Sequence, residues 1–409
     1  MVPRSPPNGL GPARGPSAPA IAAAGLTALA VAMGIGRFAF TPILPMMQQD
    51  TGLTVADGGW LASANYLGYL LGAVSVAALA LRVRPATAIR GGLLVIGMAT
   101  LGMGLETRFA GWVMLRALAG IATAWVLVFA SAWCLEGLAL ARRPRLNGVV
   151  FAGVGTGIAV AGGFCLVLMQ LSATSAQAWI GLGLLSLVET AVIWRMFGAA
   201  GNTRVGDGPR STAVGWQWDA DWARMVLCYG AFGFGYIIPG TFLPVMARQV
   251  IHDSLVFGSA WPVFGGAAAV STLAAAVWSR PIGNRRLWVL GHLVMAFGVT
   301  LPVWWPGIGS IMIAALLVGG TFMVITLAGM QEARALAGPQ AARLMAAMTS
   351  AFAAGQIAGP ICVSYLVGPD ADLSKPLLVA CLVLLMSACA LSAWGGMRRS
   401  GEGQGKDLR

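Results

Sequence analysis

The chain has 409 residues, of which 58% are hydrophobic and 10% charged, whereas soluble domains carry about 25% charged residues. With a mean hydropathy of +0.78, that composition excludes an ordinary soluble enzyme or binding module and makes the bilayer the solvent. The net charge of +12 would suggest nucleic acid in a soluble protein, but here the basic residues sort by loop, and no nucleic-acid partner is expected.

Residues 1–18 are rich in Pro and Gly and carry Arg4 and Arg14. They lack the apolar core and small-residue cleavage site of a signal peptide, so they read as a disordered tail. Apolar runs long enough to cross a hydrocarbon core follow at about 20–46, 57–80, 88–106, 109–137, 148–171 and 177–197. A polar linker over 198–221 interrupts the series. Six more runs follow at about 222–247, 255–279, 287–305, 308–331, 345–368 and 376–396, and residues 398–409 form a polar tail. The short gaps at Glu106 to Phe109 and Pro302 to Pro306 are where two spans would most easily be one. The reading is an all-α integral membrane protein, with one bundle over 19–197 and another over 222–397.

Charge gives an independent check. With a cytoplasmic N-terminus, 21 of the 26 basic residues fall in inner segments and only Arg108, Arg248 and Lys375 in outer ones. Positive residues favour the cytoplasmic side, so the count predicts twelve spans, both termini inside, and a bacterial-type inner (plasma) membrane. The six cysteines lie in apolar runs without metal-ligand or redox spacing and read as packing residues.

The first and seventh spans repeat one another. Gly34, Gly36, Leu44, Pro45 and Met47 match Gly233, Gly235, Leu243, Pro244 and Met246 at a constant offset of 199. Gly120 and Gly319 match at the same offset, and Trp60 and Trp261 at 201. Two halves of six spans each begin on the same side, which makes them parallel repeats about an axis along the membrane normal.

On these features the chain resembles the major facilitator superfamily over nearly its full length. The strings from Gly34 to Pro45, Ser63 to Gly72 and Gly233 to Pro239 are similar to its YbfB/YjiJ branch. The resemblance implies twelve transmembrane helices in two six-helix, pseudo-symmetric bundles that rock about a central site. It also implies that the first, fourth, seventh and tenth helices line the cavity. Arg116 to Gly120 is similar to the family's Arg-x-x-x-Gly motif, which implies a buried arginine near the transport path. The fifth span, with Gly153, Gly155, Gly157, Gly162 and Gly163, is similar to a glycine-rich motif of proton-coupled exporters but lacks its Gly-Pro pair. The loop from Gly72 to Arg90 lacks the acid of the family's inner charge latch, whereas Gly283-Asn284-Arg285-Arg286 keeps the pattern better.

An ionisable residue deep in a span is costly and marks a functional candidate. Arg37 and Arg116 lie at comparable depths. Both are candidates to bind an anionic group or repel a cation; the structural alternative locks them to backbone carbonyls or to an outer acid such as Asp57. Glu189 is the one carboxylate well inside a span and the candidate for proton coupling, although sixth helices often pack peripherally. Glu136 and Glu332, near inner helix ends, are gating candidates against the simpler reading of solvated ends. Pro45 and Pro244 are candidates for bending at an outer gate. His292 is expected to be a packing residue.

The neutral candidates for substrate contact are Asn65, Tyr66, Tyr69, Trp125, Tyr229, Tyr236 and Gln356. Tyr236 leads them because it occupies in the second half the place Arg37 holds in the first. No nucleotide loop, metal site or His-based triad is present in a chain with two histidines, so no cofactor, metal or enzymatic activity is expected. The function these residues point to is secondary active transport of a small organic solute by a monomer, proton-coupled, with anionic or zwitterionic cargo. The alternatives are proton-driven efflux of amphipathic compounds and a non-transporting sensor that keeps a transporter fold.

Overall fold

A computed structural model of the protein describes residues 16–197, 219–250, 254–337, 340–367 and 372–404. Regular structure among them is entirely helical. The first span comprises α1 (Ala18–Leu29), a π-helical segment (Ala30–Phe38) and α2 (Phe40–Thr51). It is followed by α3 (Val55–Arg82), α4 (Pro85–Leu105), α5 (Phe109–Leu140), α6 (Asn147–Gln170) and α7 (Ser175–Ile193). After the interruption come α8 (Ala220–Val250), the short α9 (Ser254–Gly258), α10 (Ala260–Ile282), α11 (Asn284–Trp304), α12 (Ile308–Ala337), α13 (Ala341–Leu366) and α14 (Ser374–Gln404).

Among the described residues, ten helical spans are long and apolar enough to cross a membrane, with Ala18–Thr51 counted as one. α3 carries Asp57, Asn65, Tyr66 and Tyr69 along its first two thirds. Its polar residues are the ones that turn out to matter.

The doubtful gaps are real breaks. Glu106 ends α4, and its Oε1 accepts the backbone N–H groups of Thr107 and Arg108 at 2.8 Å each, which fixes the corner before α5. Those two bonds hold the Glu106 carboxyl below the usual carboxylate range. α2 runs past its expected end and stops at Gly52, whose φ of +73° suits glycine. The eighth span is split at Ser259 between α9 and α10, and α14 continues to Gln404, beyond the expected end of the last span. The linker over 198–218 and most of the N-terminal tail lie outside the described residues.

Pro45 sits inside α2, and Pro239 and Pro244 sit inside a continuous α8. The first span changes its winding earlier, in the π-helical stretch. Pro42 has no N–H to give the carbonyl of Phe38, the residue at which the π segment ends. Eight of the nine π-segment residues are buried, Met33 being the exception, which sets this segment at the centre of the molecule.

α3 packs on α5, α4 on α5 and α7, and α1 on α6. In the second half α8 packs on α13 and α14, and α12 on α10 and α11. The halves meet chiefly through α6 with α10, α3 with α13, and α2 with α8. The repeat is visible in these contacts. A Cβ on Gly120 would collide with the Asn65 carbonyl, and one on Gly319 with the Phe264 carbonyl, so glycine permits the same close approach in each half. Asn65 and Phe264 are themselves 199 apart. Trp60 and Trp261 do not share an environment: Trp60 is exposed and edge-on to Tyr365, whereas Trp261 is buried and stacked on Phe264.

Candidate functional site

The π segment delivers Arg37 to the interface between the halves, where its side chain is 1% exposed. Tyr66 and Tyr69, three residues apart on α3, share a face, and their ring centroids lie 4.8 and 4.3 Å from the Arg37 guanidinium carbon. Phe38 adds a third ring at 5.5 Å. From the other half, α13 brings Gln356. Arg37 Nη2 donates to Gln356 Oε1, and Gln356 Nε2 donates to Tyr236 Oη on α8. Arg37 and Tyr236, equivalent in the repeat, are thus joined through one buried amide.

Tyr236 is held between two rings. Phe322 of α12 and Phe352 of α13 stack on it at centroid distances of 5.6 Å each, with interplanar angles of 8° and 7°. Phe322 continues the aromatic wall to Phe264 and, through it, to Trp261. These residues were not among the expected contacts. Spacing offered the only signal, since Phe352 lies one turn before Gln356 and Phe322 lies three residues after Gly319.

Arg116 stands one layer behind. It is 2% exposed, donates from Nη2 to the Arg37 carbonyl at 3.2 Å, and lies over the Phe40 ring at 4.7 Å. Asn65 is a brace: its Nδ2 donates to the Arg116 carbonyl at 2.9 Å and the Gly36 carbonyl at 3.3 Å, tying both arginine-bearing segments to α3. Arg116 therefore matches the structural alternative in part, through a backbone carbonyl. Asp57 is engaged elsewhere, accepting from the Thr54 backbone N–H at 3.0 Å and the Thr54 hydroxyl at 2.6 Å.

Among the described residues the ion pairs are Asp221 with Arg224 at 3.6 Å and Glu332 with Arg285 at 2.9 Å. Neither buried arginine has a carboxylate partner there. Arg37 Nε and Nη1 and Arg116 Nε are buried with no hydrogen-bond acceptor. A buried charge in low dielectric, lacking a counter-charge and part of its hydrogen bonds, is among the costliest arrangements a chain can hold. The aromatic faces around Arg37 offset part of that cost. They leave the N–H edges unfilled.

Five expected contacts meet here: Arg37, Tyr66, Tyr69, Tyr236 and Gln356. Trp125 does not reach it, and Tyr229 meets it only behind the wall, at Phe352. Trp125 is half-buried and donates its indole N–H to Ser75 Oγ at 2.8 Å. Tyr229 is buried among Phe232, Trp288 and Phe352. Glu189 is half-buried on α7, which packs chiefly on α4, and its Oε2 has no hydrogen-bond partner. His292 is buried beside Phe232 and Trp288. Glu136 is exposed, as the simpler reading expected, but Glu332 departs from that reading through its bond to Arg285.

Toward the end of the molecule carrying Pro45 and Pro244, further bonds join the halves. Tyr66 Oη lies 3.1 Å from Thr241 Oγ1, and Thr41 donates to the Gly240 carbonyl at 2.9 Å. Arg248 donates from Nη1 to the Pro45 carbonyl and from Nη2 to Gln49 Oε1 at 3.2 Å. Thr41 with Gly240, and Gln49 with Arg248, are again pairs 199 apart. Equivalent residues can touch one another only close to the axis relating the repeats. Among the described residues no group of three or more His, Cys, Asp or Glu could hold a metal ion.

The helices that build this site fall within residues 29–392, the stretch that matches the family described as uncharacterised MFS-type transporter YbfB. With most of its length covered, the chain belongs to that family of major facilitator transporters.

Proposed function

We propose that the protein is a secondary active transporter of a small organic anion or zwitterion, working by alternating access of two six-helix bundles of a twelve-helix fold and coupled to protons. The observation that carries the reading is the pair of buried guanidiniums without carboxylate partners among the described residues, with Arg37 at the junction of the halves. A carboxylate cargo supplies the missing charge and the missing acceptors, and Arg37 is its anchor. The aromatic wall of Tyr66, Tyr69, Tyr236, Phe322 and Phe352 suits an apolar body on that anion. Glu189, whose buried Oε2 lacks a partner, remains the proton-coupling candidate; its place on α7 implies that coupling acts through the bundle rather than by direct contact with Arg37.

The excess of basic residues in alternate loops supports cytoplasmic termini in a plasma membrane of bacterial type. In that orientation the end bearing Pro45 and Pro244 is the outer one, and the Arg248 bonds hold it shut. Uptake into proteoliposomes under an imposed pH gradient tests the proposal with carboxylates, their neutral amides and organic cations. Carboxylates are expected to accumulate in an Arg37-dependent way. Uptake of only neutral or cationic compounds would overturn the anion assignment.

A further inference from the structure

His292 sits on α11 with its imidazole wholly buried, and neither ring nitrogen has a hydrogen-bond partner. One turn earlier on the same helix the buried indole N–H of Trp288 also has no acceptor, and the two ring centroids lie 6.1 Å apart. A neutral imidazole carries one donor and one acceptor, and leaving both unmade in a dry interior is costly. A phenylalanine there would pack against Phe232 and Trp288 without that cost. Of the elements packed on α11, α8 carries the phenols Tyr229 and Tyr236 and the Cys228 thiol, and α14 carries Cys381 and Cys389. The charged side chains described on these two helices, Asp221, Arg224, Arg248 and Lys375, lie near helix ends. α12 has no titratable side chain before Glu332, which is paired with Arg285, and α10 has none over Ala260–Ala275.

We infer that His292 is a proton-binding residue of the transport cycle, taking up a proton together with the cargo anion. The inference rests on the proton-coupled anion reading above and adds to Glu189 of the first half a proton site in the second. The Phe232 ring stands between this site and the cargo anchor. It lies 6.2 Å from His292 and 5.3 Å from Tyr236, one turn further along α8, and Tyr236 is joined to Arg37 through Gln356. An imidazolium and the Arg37 guanidinium are like charges in one low-dielectric interior, so each disfavours the other. A carboxylate on Arg37 cancels that repulsion, and cargo then favours the proton; by linkage the proton favours cargo to the same degree. A proton from water bonds to the imidazole's free lone pair on one side of the membrane and returns to water on the other. His292 is eight residues beyond Asn284, the first residue of α11, which puts it about 12 Å from the end that the basic loops place inside. An opening at that end exposes the ring to water.

Titration calorimetry of benzoate on the detergent-purified full chain, run in two buffers that differ in heat of ionisation, counts the protons bound. Wild type is expected to take up about one proton with each benzoate, the most a single site can hold, and His292→Gln to bind benzoate without it. If His292→Gln is not monodisperse, His292→Asn carries the same expectation. Proton uptake that is unchanged in the variant, or absent from a wild type that binds benzoate, overturns the inference and leaves the anion reading standing. No benzoate binding to wild type overturns that reading, and the proton site is then judged without cargo. His252→Gln leaves His292 the sole histidine, and its ring-nitrogen NMR spectrum is expected to pass from the neutral to the imidazolium pattern between about pH 8 and about pH 5. A ring that keeps the neutral pattern throughout overturns the proton site whether or not benzoate binds.

Discussion

Arg37 differs from other basic residues of the chain in what surrounds it, and that difference decides how it should respond to substitution. Its fork geometry is used by Gln356 on one nitrogen and left open on two, so a lysine that keeps the charge loses the arrangement. Arg37→Lys is expected to reduce carboxylate uptake by at least about tenfold, the equivalent of one lost charge-assisted bond, with normal membrane insertion. Tyr236→Phe removes the hydroxyl that accepts from Gln356 but keeps the ring stacked between Phe322 and Phe352. It should raise KM several-fold and leave the maximal rate near wild type. Normal uptake by Arg37→Ala would remove Arg37 from the site. Asn65 is a separate case, because it touches two carbonyls and no cargo position. Asn65→Leu should lower stability by about 1–3 kcal/mol, the cost of leaving buried acceptors unpaired, and a thermal melt reads it directly.

At the scale of the helix, sequence was informative wherever run length or repeat decided the matter. Among the described residues, ten of the expected spans coincide with helices long and apolar enough to cross a membrane, and the other two fall on α3 and on α9 with α10, because hydrocarbon thickness sets helix length independently of packing. The Arg37 and Tyr236 relation was legible because the repeat fixes depth. Rotation about each helix was not. Trp125 is nine residues beyond Arg116, which at about 100° per residue puts it on the opposite face of α5, where it meets Ser75. Tyr229 is seven residues before Tyr236, on nearly the same face but about 10 Å further along the axis. The π-helical winding had no signal beyond Pro42, and Phe322 and Phe352 looked like any other aromatic in an apolar run. Glycines show the same distinction between faces. A Cβ on Gly155 would collide with the Ala269 backbone across the α6–α10 contact, whereas one on Gly163 of the same helix meets nothing within 4 Å. Gly155→Leu should therefore abolish uptake by forcing α6 from α10, and Gly163→Leu should be tolerated. Equal behaviour of the two in a paired uptake assay would mean that the α6–α10 approach is not needed.

For the molecule as a whole, alternating access requires that the bonds joining the halves at one end break when that end opens. Arg248 with Pro45 and Gln49, and Thr41 with Gly240, lie close to the axis between the repeats. Bonds near such an axis join both halves at related points, so rocking of one half against the other strains them together. Gln49 and Arg248 present side-chain atoms 3.2 Å apart and are not part of the Arg37 cluster. Cysteines at 49 and 248, in a background with the six native cysteines replaced, can be joined by a short bifunctional thiol reagent with a cleavable spacer. Joining them should stop uptake in proteoliposomes while leaving benzoate binding to the detergent-purified protein in place, because the site beneath the joined end is undisturbed. Cleaving the spacer should restore uptake. Either single cysteine variant treated alike serves as the control and should keep transporting. Full uptake by the joined protein would mean that the two ends do not alternate by parting here, and that the Arg248 bonds are static packing instead of a gate.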